Sequence, residues 1–268
     1  MGQENGKGIK GETTMNRVAN SLVRDFVNQI NVSECNPYLI YYFFPVETSR
    51  NQAGPVDKLN SLKSLVGNFN IFCILNEIDR RREFMLRKLE SDCYRIVRLG
   101  ARLAQNAVPG VGIESPYETG IRLHHIYGVP FIPSSSIKGS VSSYLKLFLG
   151  KGDTDSDRIR VLGSQEKKGS VLFFDAYPTL PQNRTLLKLD VFTPHYQPYY
   201  AESDYPADRF SPIPIPFLTV GKGVEFWFHI AARDIGDLSI ASDWLKGALQ
   251  NVGVGAKTMT GFGHFRRM

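Results

Sequence analysis

The spacing of the apolar residues changes near Asp92, and this change constrains the fold more than any other feature of the sequence. Upstream, over residues 15–30, apolar side chains recur at every fourth position, as in an amphipathic helix: Val18, Leu22, Phe26 and Ile30. Downstream, over residues 97–103, apolar positions alternate with arginine or glycine, the pattern of a half-buried strand. The sequence therefore predicts a mostly helical region over residues 15–91, packed on a core over residues 92–268.

The N-terminal region is predicted to contain three helices. Besides the helix at residues 15–30, apolar periodicity predicts helices at about residues 57–66 and 71–89. The preceding residues, 1–14, are rich in glycine and polar side chains and are predicted to form a disordered tail. Residues 1–90 contain no known sequence motif.

The core sequence predicts helices and strands in alternation. One helix follows Pro133 and ends at Gly150, and a second spans residues 239–250. Gly221-Lys222-Gly223 predicts a hairpin turn between two of the strands. Strand, helix, strands, helix, strand is the order of an α+β sandwich, and we predict a ferredoxin-like (RRM-like) core. Its strands are predicted at residues 97–103, 171–176, 186–193, 217–220, 224–231 and 264–266.

Charge and cysteine content narrow the class of protein. The formal net charge of +6 favours a polyanionic partner. The three cysteines, Cys35, Cys73 and Cys93, are far apart and form no CxxC pair, so neither a disulfide framework nor a zinc site is predicted. The sequence contains no apolar run of the roughly 20 residues that span a membrane and no apolar signal segment. We expect a cytoplasmic protein without membrane contact, cofactor or metal.

A glycine-rich segment near the C-terminus is the strongest candidate for a binding site. Residues 253–263 contain four glycines, one lysine and two threonines: Gly253, Gly255, Lys257, Thr258, Thr260, Gly261 and Gly263. Glycines let successive N–H groups turn toward an anion, and Lys257 adds a charge. The alternative is a plain turn into the last strand, which we expect to need only one or two glycines. Neither a Walker A loop nor a dinucleotide fingerprint fits, since Ala256 precedes Lys257 and a strand follows.

A serine-rich segment at the start of the first core helix is the second candidate. Ser134, Ser135 and Ser136 stand where a helix begins, and the helix dipole there favours an anion. Lys138, Ser142 and Lys146 follow at intervals of four residues and predict a polar stripe that faces RNA. The alternatives are that the serines only cap the helix and that the lysines form a solvated face.

Several segments, in this order, resemble the RAMP superfamily. They are residues 127–139 (YGVPFIPSSSIKG), residues 162–165 (LGSQ) with 169–176 (GSVLFFDA), and the terminal glycine segment. Residues 190–196 (DVFTPHY) with Tyr199-Tyr200 are similar to the small RAMP subunit of type III-B (Cmr) CRISPR complexes. Ser134 replaces a usual glycine and Leu162 a usual phenylalanine.

The resemblance implies a function and partners. It implies a non-catalytic subunit that binds the crRNA, caps its 3′ end and caps the end of the subunit filament in antiviral defence. The implied partners are the crRNA and other Cmr subunits, namely the backbone RAMP and small helical subunits. Target RNA is reached only through the complex, and its cleavage is implied for the backbone subunits.

A RAMP-type endoribonuclease acting on CRISPR RNA or target RNA is the alternative. Metal-independent RNA cleavage needs a general base and acid, and His195 with Asp190 is the candidate pair. The adjacent His124 and His125 would point to opposite faces of a strand, and we expect His229, inside a strand, to be structural.

Two further segments carry weaker predictions. Prolines and aromatic residues crowd residues 198–217, and we expect this stretch to dock on a neighbouring subunit. The Arg80-Arg81-Arg82 run with Arg87 and Lys88 either extends a phosphate track or forms a solvated helix face.

Overall fold

A computed structural model of the 268-residue chain describes residues 36–43, 71–115, 119–179, 186–193, 205 and 214–267. The helices predicted at residues 15–30 and 57–66, the tail at residues 1–14 and His195 lie outside these described residues.

The described elements confirm the α+β class. The helices are α1 (Pro37–Phe43), α2 (Ile71–Ser91), α3 (Ser134–Phe148), α4 (Ser156–Leu162) and α5 (Ile235–Asn251). The strands are β1 (Arg95–Leu103), β2 (Val171–Phe173), β3 (Tyr177–Pro178), β4 (Leu187–Phe192), β5 (Ile215–Val220), β6 (Glu225–Ala232) and β7 (Phe265–Arg267).

The main sheet is antiparallel and has the order β2-β6-β1-β7, with β3 also pairing with β6. Leu99 of β1 lies opposite Phe228 of β6, and Ala101 lies opposite Phe226. All four side chains are buried. Because side chains alternate along a strand, this register brings the apolar positions of both strands onto one face.

Helices α3 and α5 cover that apolar face. The ring of Phe265 meets Phe226 and Phe228 edge to face, at centroid distances of 5.8 and 5.2 Å. Gly247 of α5 lies against the ring of Tyr144 of α3, so close that a Cβ there would overlap the ring. The two helices therefore pack closely on each other and on the sheet.

Helix α2 packs on the opposite face. Arg98 of β1 donates to Glu83 and Glu90 of α2 at 3.3 and 3.4 Å. His229 of β6 is only 3% exposed, and burial, helped by nearby Arg82, lowers its pKa to about 4. His229 is thus a neutral core residue, as expected for a structural histidine. In an RRM, RNA stacks on an open sheet face, and here α2 lies on part of that face.

Strands β4 and β5 form a second, two-stranded antiparallel sheet. The predicted hairpin between β5 and β6 is therefore wrong, although the turn at Gly221 exists: Val224 N–H donates to the Gly221 carbonyl at 3.2 Å. The turn is held from outside, because Gly223 N–H donates to Leu103 O at 2.9 Å and Lys222 N–H to Asn106 Oδ1 at 2.8 Å. The N–H groups of the turn thus bind residues at and just beyond the end of β1. The chain passes there from the second sheet to the main sheet.

Two helix starts differ from the predictions. Helix α5 begins at Ile235 and not at residue 239, because the Asp234 carboxylate caps it and accepts from Asp237 N–H at 2.8 Å. Helix α1 was not predicted. The Asn36 side chain accepts from Tyr38 N–H at 2.9 Å at its start, with Pro37 as the first helical residue.

Candidate nucleic-acid interface

The glycine segment forms a tight turn between α5 and β7 in which all four glycines have positive φ. A Cβ at Gly255 would lie 2.9 Å from the Val108 carbonyl oxygen, and one at Gly263 would overlap the Val254 carbonyl oxygen. The expectation that a plain turn needs only one or two glycines is therefore wrong. Because the turn itself requires these residues, their number does not by itself argue for an anion.

The same turn nevertheless offers unused hydrogen-bond donors. The N–H groups of Val254 and Ala256 are used within the fold, since they donate to Gly263 O and Val108 O at 2.9 Å. The N–H groups of Gly255, Lys257, Thr258 and Met259, by contrast, have no acceptor among the described residues. Met259 is 98% exposed, so this part of the turn faces solvent. Backbone donors open to solvent are a common means of binding an anion.

The glycine turn and helix α3 enclose a cleft of about 430 Å³. The Ser140 hydroxyl donates to Gly253 O at 2.6 Å and fastens the turn to α3. The structure thus brings together four of the predicted site residues, which line the cleft: Ser136, Gly253, Gly255 and Thr258. Further lining residues that the predictions missed are Ser140, Ser143, Arg122 and the loop at residues 110–112.

Arg122 is the basic side chain among the residues that line the cleft. It is partly buried, and within the described ranges no carboxylate lies in ion-pair distance of it. Its main chain is anchored, since Arg122 N–H donates to Pro109 O at 2.7 Å. An arginine in a loop has no sequence pattern that marks it, whereas the glycines at residues 110 and 112 are typical of a loop.

Other predicted site residues lie outside the cleft lining. The Lys257 ammonium lies 4.2 Å from the Phe192 ring centroid, a cation–π contact, although its neighbours Ala256 and Thr258 line the cleft. Thr260 Oγ donates to Lys257 O at 2.8 Å and stabilises the turn. The remaining predicted site residues lie in the turn or on exposed positions of α3: Gly261, Gly263, Ser135, Lys138 and Lys146.

The N-terminus of α3 is occupied by the chain itself. Pro133 is the N-cap and no side chain at that position caps the helix, so the interpretation of the serines as simple caps is wrong. Ser134 N–H instead donates to the Asp175 carboxylate at 2.7 Å, which uses part of the positive helix end. The predicted polar stripe is also interrupted, because Ser142 accepts from Arg158 Nη2 at 2.8 Å.

Of the candidate catalytic pair, the structure describes only Asp190. Asp190 accepts from the Asn106 side-chain amide at 3.0 Å and from Val191 N–H at 2.9 Å, so both carboxylate oxygens have donors. His195 lies outside the described residues. His124 and His125 do not point to opposite faces, as they would on a strand, since their rings stack at a centroid distance of 4.9 Å. They lie in a turn, not in a strand, and burial lowers the pKa of His124.

The arginine run on α2 is largely paired. Arg80 and Arg81 both contact Glu77, at 2.9 Å. Arg82 pairs with Asp79 and is turned inward, with its side chain 10% exposed. Because these three arginines are paired with carboxylates, they do not offer the unpaired charges that the predicted phosphate track needs. Arg82 is also not on a solvated face.

The described part of the chain offers neither a metal site nor a membrane span. There, no three His, Cys, Asp or Glu side chains gather as metal ligands would. Among the described helices, none combines the length and apolar character that a membrane span needs. Cys73 and Cys93 are exposed free thiols.

Comparison with known proteins gives consistent matches. Residues 100–266 match the RAMP superfamily. The chain is 34% identical over 216 residues to the CRISPR system Cmr subunit Cmr6 of Pyrococcus furiosus, covering 58% of this chain and 63% of that protein. It is 38% identical over 122 residues to the Cmr6 subunit of Saccharolobus solfataricus, covering 45% of this chain and 39% of that protein. The matches thus span less than two thirds of either relative.

A solved structure is similar over more of the chain. A chain in the cryo-EM structure of type III-B Cmr-beta bound to cognate target RNA is 27% identical in sequence, with a TM-score of 0.62. The similarity covers 88% of the present chain and 81% of that one.

Proposed function

This chain belongs to the RAMP superfamily, and on that premise we propose that it is a non-catalytic, crRNA-binding subunit of a type III-B (Cmr) CRISPR effector. The observation that carries the proposal is the cleft, in which serines of α3, free N–H groups of the glycine turn and Arg122 meet. The Cmr6 relatives and the Cmr-beta chain support the choice of complex.

The core arrangement supports the same assignment. Two units, β1-α3-β2 and β6-α5-β7, combine in the strand order β2-β6-β1-β7. We infer that this is the ferredoxin-like core predicted for residues 92–268. We further propose that residues 15–91 form a helical region packed on that core, as α2 does.

The cleft suits the backbone of single-stranded RNA better than a particular base sequence. Hydroxyls, backbone N–H groups and a guanidinium all donate hydrogen bonds to phosphate oxygens. Lys257, exposed and flanked in sequence by two lining residues, supplies a second positive charge on the same turn. Phosphate contacts position an RNA without reading its sequence, as required for a subunit that serves many different guides.

Contacts with neighbouring subunits need exposed apolar surface. At the end of α3, Leu147, Phe148 and Leu149 are 72, 55 and 45% exposed in succession. Such a run fits a protein contact. We propose that the chain occupies the 3′ end of the crRNA and the end of the filament, beside the backbone RAMP and small helical subunits, and meets target RNA only in the complex.

Non-catalytic action is part of the proposal. Asp190 is engaged by Asn106, which also binds the β5–β6 turn, and this gives the carboxylate a structural role. The endoribonuclease alternative predicts specific cleavage of 3′-labelled RNA by the purified chain. Cleavage that disappears in His195→Ala or Asp190→Asn would establish that alternative and contradict the proposal.

Crosslinking in the assembled complex tests the location of the RNA. After ultraviolet irradiation, peptides linked to crRNA should come from the loop at residues 110–122, from residues 136–143 and from residues 253–260. Efficient crosslinking confined to other parts of the chain would contradict the assignment of the cleft.

A further inference from the structure

A second cavity, of about 650 Å³, lies beside the cleft and has no part in the function proposed so far. Four aromatic side chains line it: Tyr38, Tyr42, His125 and Phe131. Its charged lining groups are Arg122 and Glu114. Arg122 therefore borders both the cleft and this cavity.

The cavity walls are held in place by hydrogen bonds over long sequence distances. The Asn36 side-chain amide donates to the carbonyls of His125 and Ile126, both at 2.8 Å. The Tyr42 hydroxyl donates to Ile121 O at 2.6 Å. Burial, with Tyr41 nearby, raises the pKa of Tyr42 to about 12, so this hydroxyl remains a donor. Helix α1 is thereby fastened to the loop that carries Arg122.

The aromatic wall continues beneath the cavity surface. Phe131 stacks on Tyr177 at a centroid distance of 5.8 Å and an interplanar angle of 18°, and it also contacts the ring of His124. His124 in turn stacks on His125. A wall that is already ordered requires little rearrangement when a ligand binds.

We propose that this cavity accepts one unstacked base of the RNA whose phosphates lie in the cleft, a proposal that rests on the function proposed above. Aromatic rings beside a positively charged groove are the usual elements of single-strand binding, because every base offers a π face. Arg122, shared by both spaces, connects phosphate and base. The Glu114 carboxylate repels a second phosphate and can accept from an exocyclic amino group of a base.

The test uses the full-length chain and single-stranded RNAs in which 2-aminopurine replaces one base at successive positions. Stacking in the cavity should quench the fluorescence at one position. Phe131→Leu, which keeps the apolar bulk but removes the ring, should reduce that quenching and weaken binding about 5- to 150-fold. His125→Ala, at an exposed position, should reduce the quenching without a threat to the fold. Phe84→Leu is the matched control, because Phe84 is a 77% exposed ring on α2.

The possible results separate this proposal from the function on which it rests. Quenching that is absent at every position, or that persists in both Phe131→Leu and His125→Ala, would overturn the base site even if RNA binding itself responds to Arg122→Gln. Loss of the subunit from the complex in Phe131→Leu, with unchanged RNA affinity, would show that the cavity docks protein and would overturn it as well. RNA binding that is unaffected by Arg122→Gln and Lys257→Ala would refute the cleft.

Discussion

Among the glycine-to-alanine substitutions in the turn at residues 253–263, Gly263→Ala should destabilise the protein most. Gly263 has φ +71°, and a Cβ there would overlap the Val254 carbonyl oxygen, which has little freedom to move because the turn is hydrogen-bonded on both sides. Left-handed backbone costs an alanine about 1–2 kcal/mol. Overlap with packed backbone adds about 1–3 kcal/mol. We expect the free energy of unfolding to fall by about 2–5 kcal/mol in all.

Gly261→Ala is the matched control. Gly261 has φ +95°, but a Cβ there meets no atom within 4 Å, so only the backbone cost of about 1–2 kcal/mol applies. Urea unfolding followed by circular dichroism measures both variants. If Gly263→Ala lost no more stability than Gly261→Ala, the overlap would be relieved by movement of the turn, and the view that this fold requires Gly263 would be refuted.

Three further predictions concern other parts of the molecule. His229 has a pKa of about 4 in the fold against an ordinary value of about 6.5, so the unfolded chain binds the proton first. The free energy of unfolding should therefore fall by up to about 3 kcal/mol as the pH is lowered from about 6.5 to 4. This decrease should be absent from His229→Gln, and parallel pH profiles of the two proteins would contradict the prediction. Ser140→Ala should cost about 1 kcal/mol of unfolding free energy because its hydroxyl no longer bonds to Gly253, while Ser143→Ala should cost less; equal costs would contradict the fastening role. Deleting residues 201–208, which include the 85% exposed Tyr205, should release the chain from its complex, and unchanged co-purification would refute the docking role.

Much of the core could be predicted because its signals are local. The alternation around Leu99 and the periodicity around Val141 predicted β1 and α3, since burial on one face imposes those spacings. The turn at Gly221 was predicted, but its strand partners were not. A turn signal does not reveal whether the next strand returns to the same sheet, and here Asn106 and Leu103, far away in sequence, bind the turn.

The site was harder to predict than the fold because its parts come together only through long-range contacts. Helix α1 has seven residues, too few for a periodic pattern, and its Tyr42 bonds to Ile121 across 79 positions. Arg122 has no motif around it. The glycine count suggested an anion site on a ground that proved wrong, since all four glycines have positive φ and a Cβ at three of them would crowd neighbouring atoms. The stronger ground, free N–H groups beside Ser136 and Arg122, depends on tertiary structure.

The salt dependence of RNA binding tests the assignment of the cleft most directly. The slope of log Kobs against log[salt] for single-stranded RNA should fall in magnitude by about 0.7 for each phosphate that the protein no longer neutralises. We expect this decrease in Arg122→Gln and in Lys257→Ala. Arg80→Gln, which removes the same charge from an ion pair on α2, should leave the slope unchanged. If all three variants kept the slope of the unaltered protein, the cleft would not hold the RNA backbone.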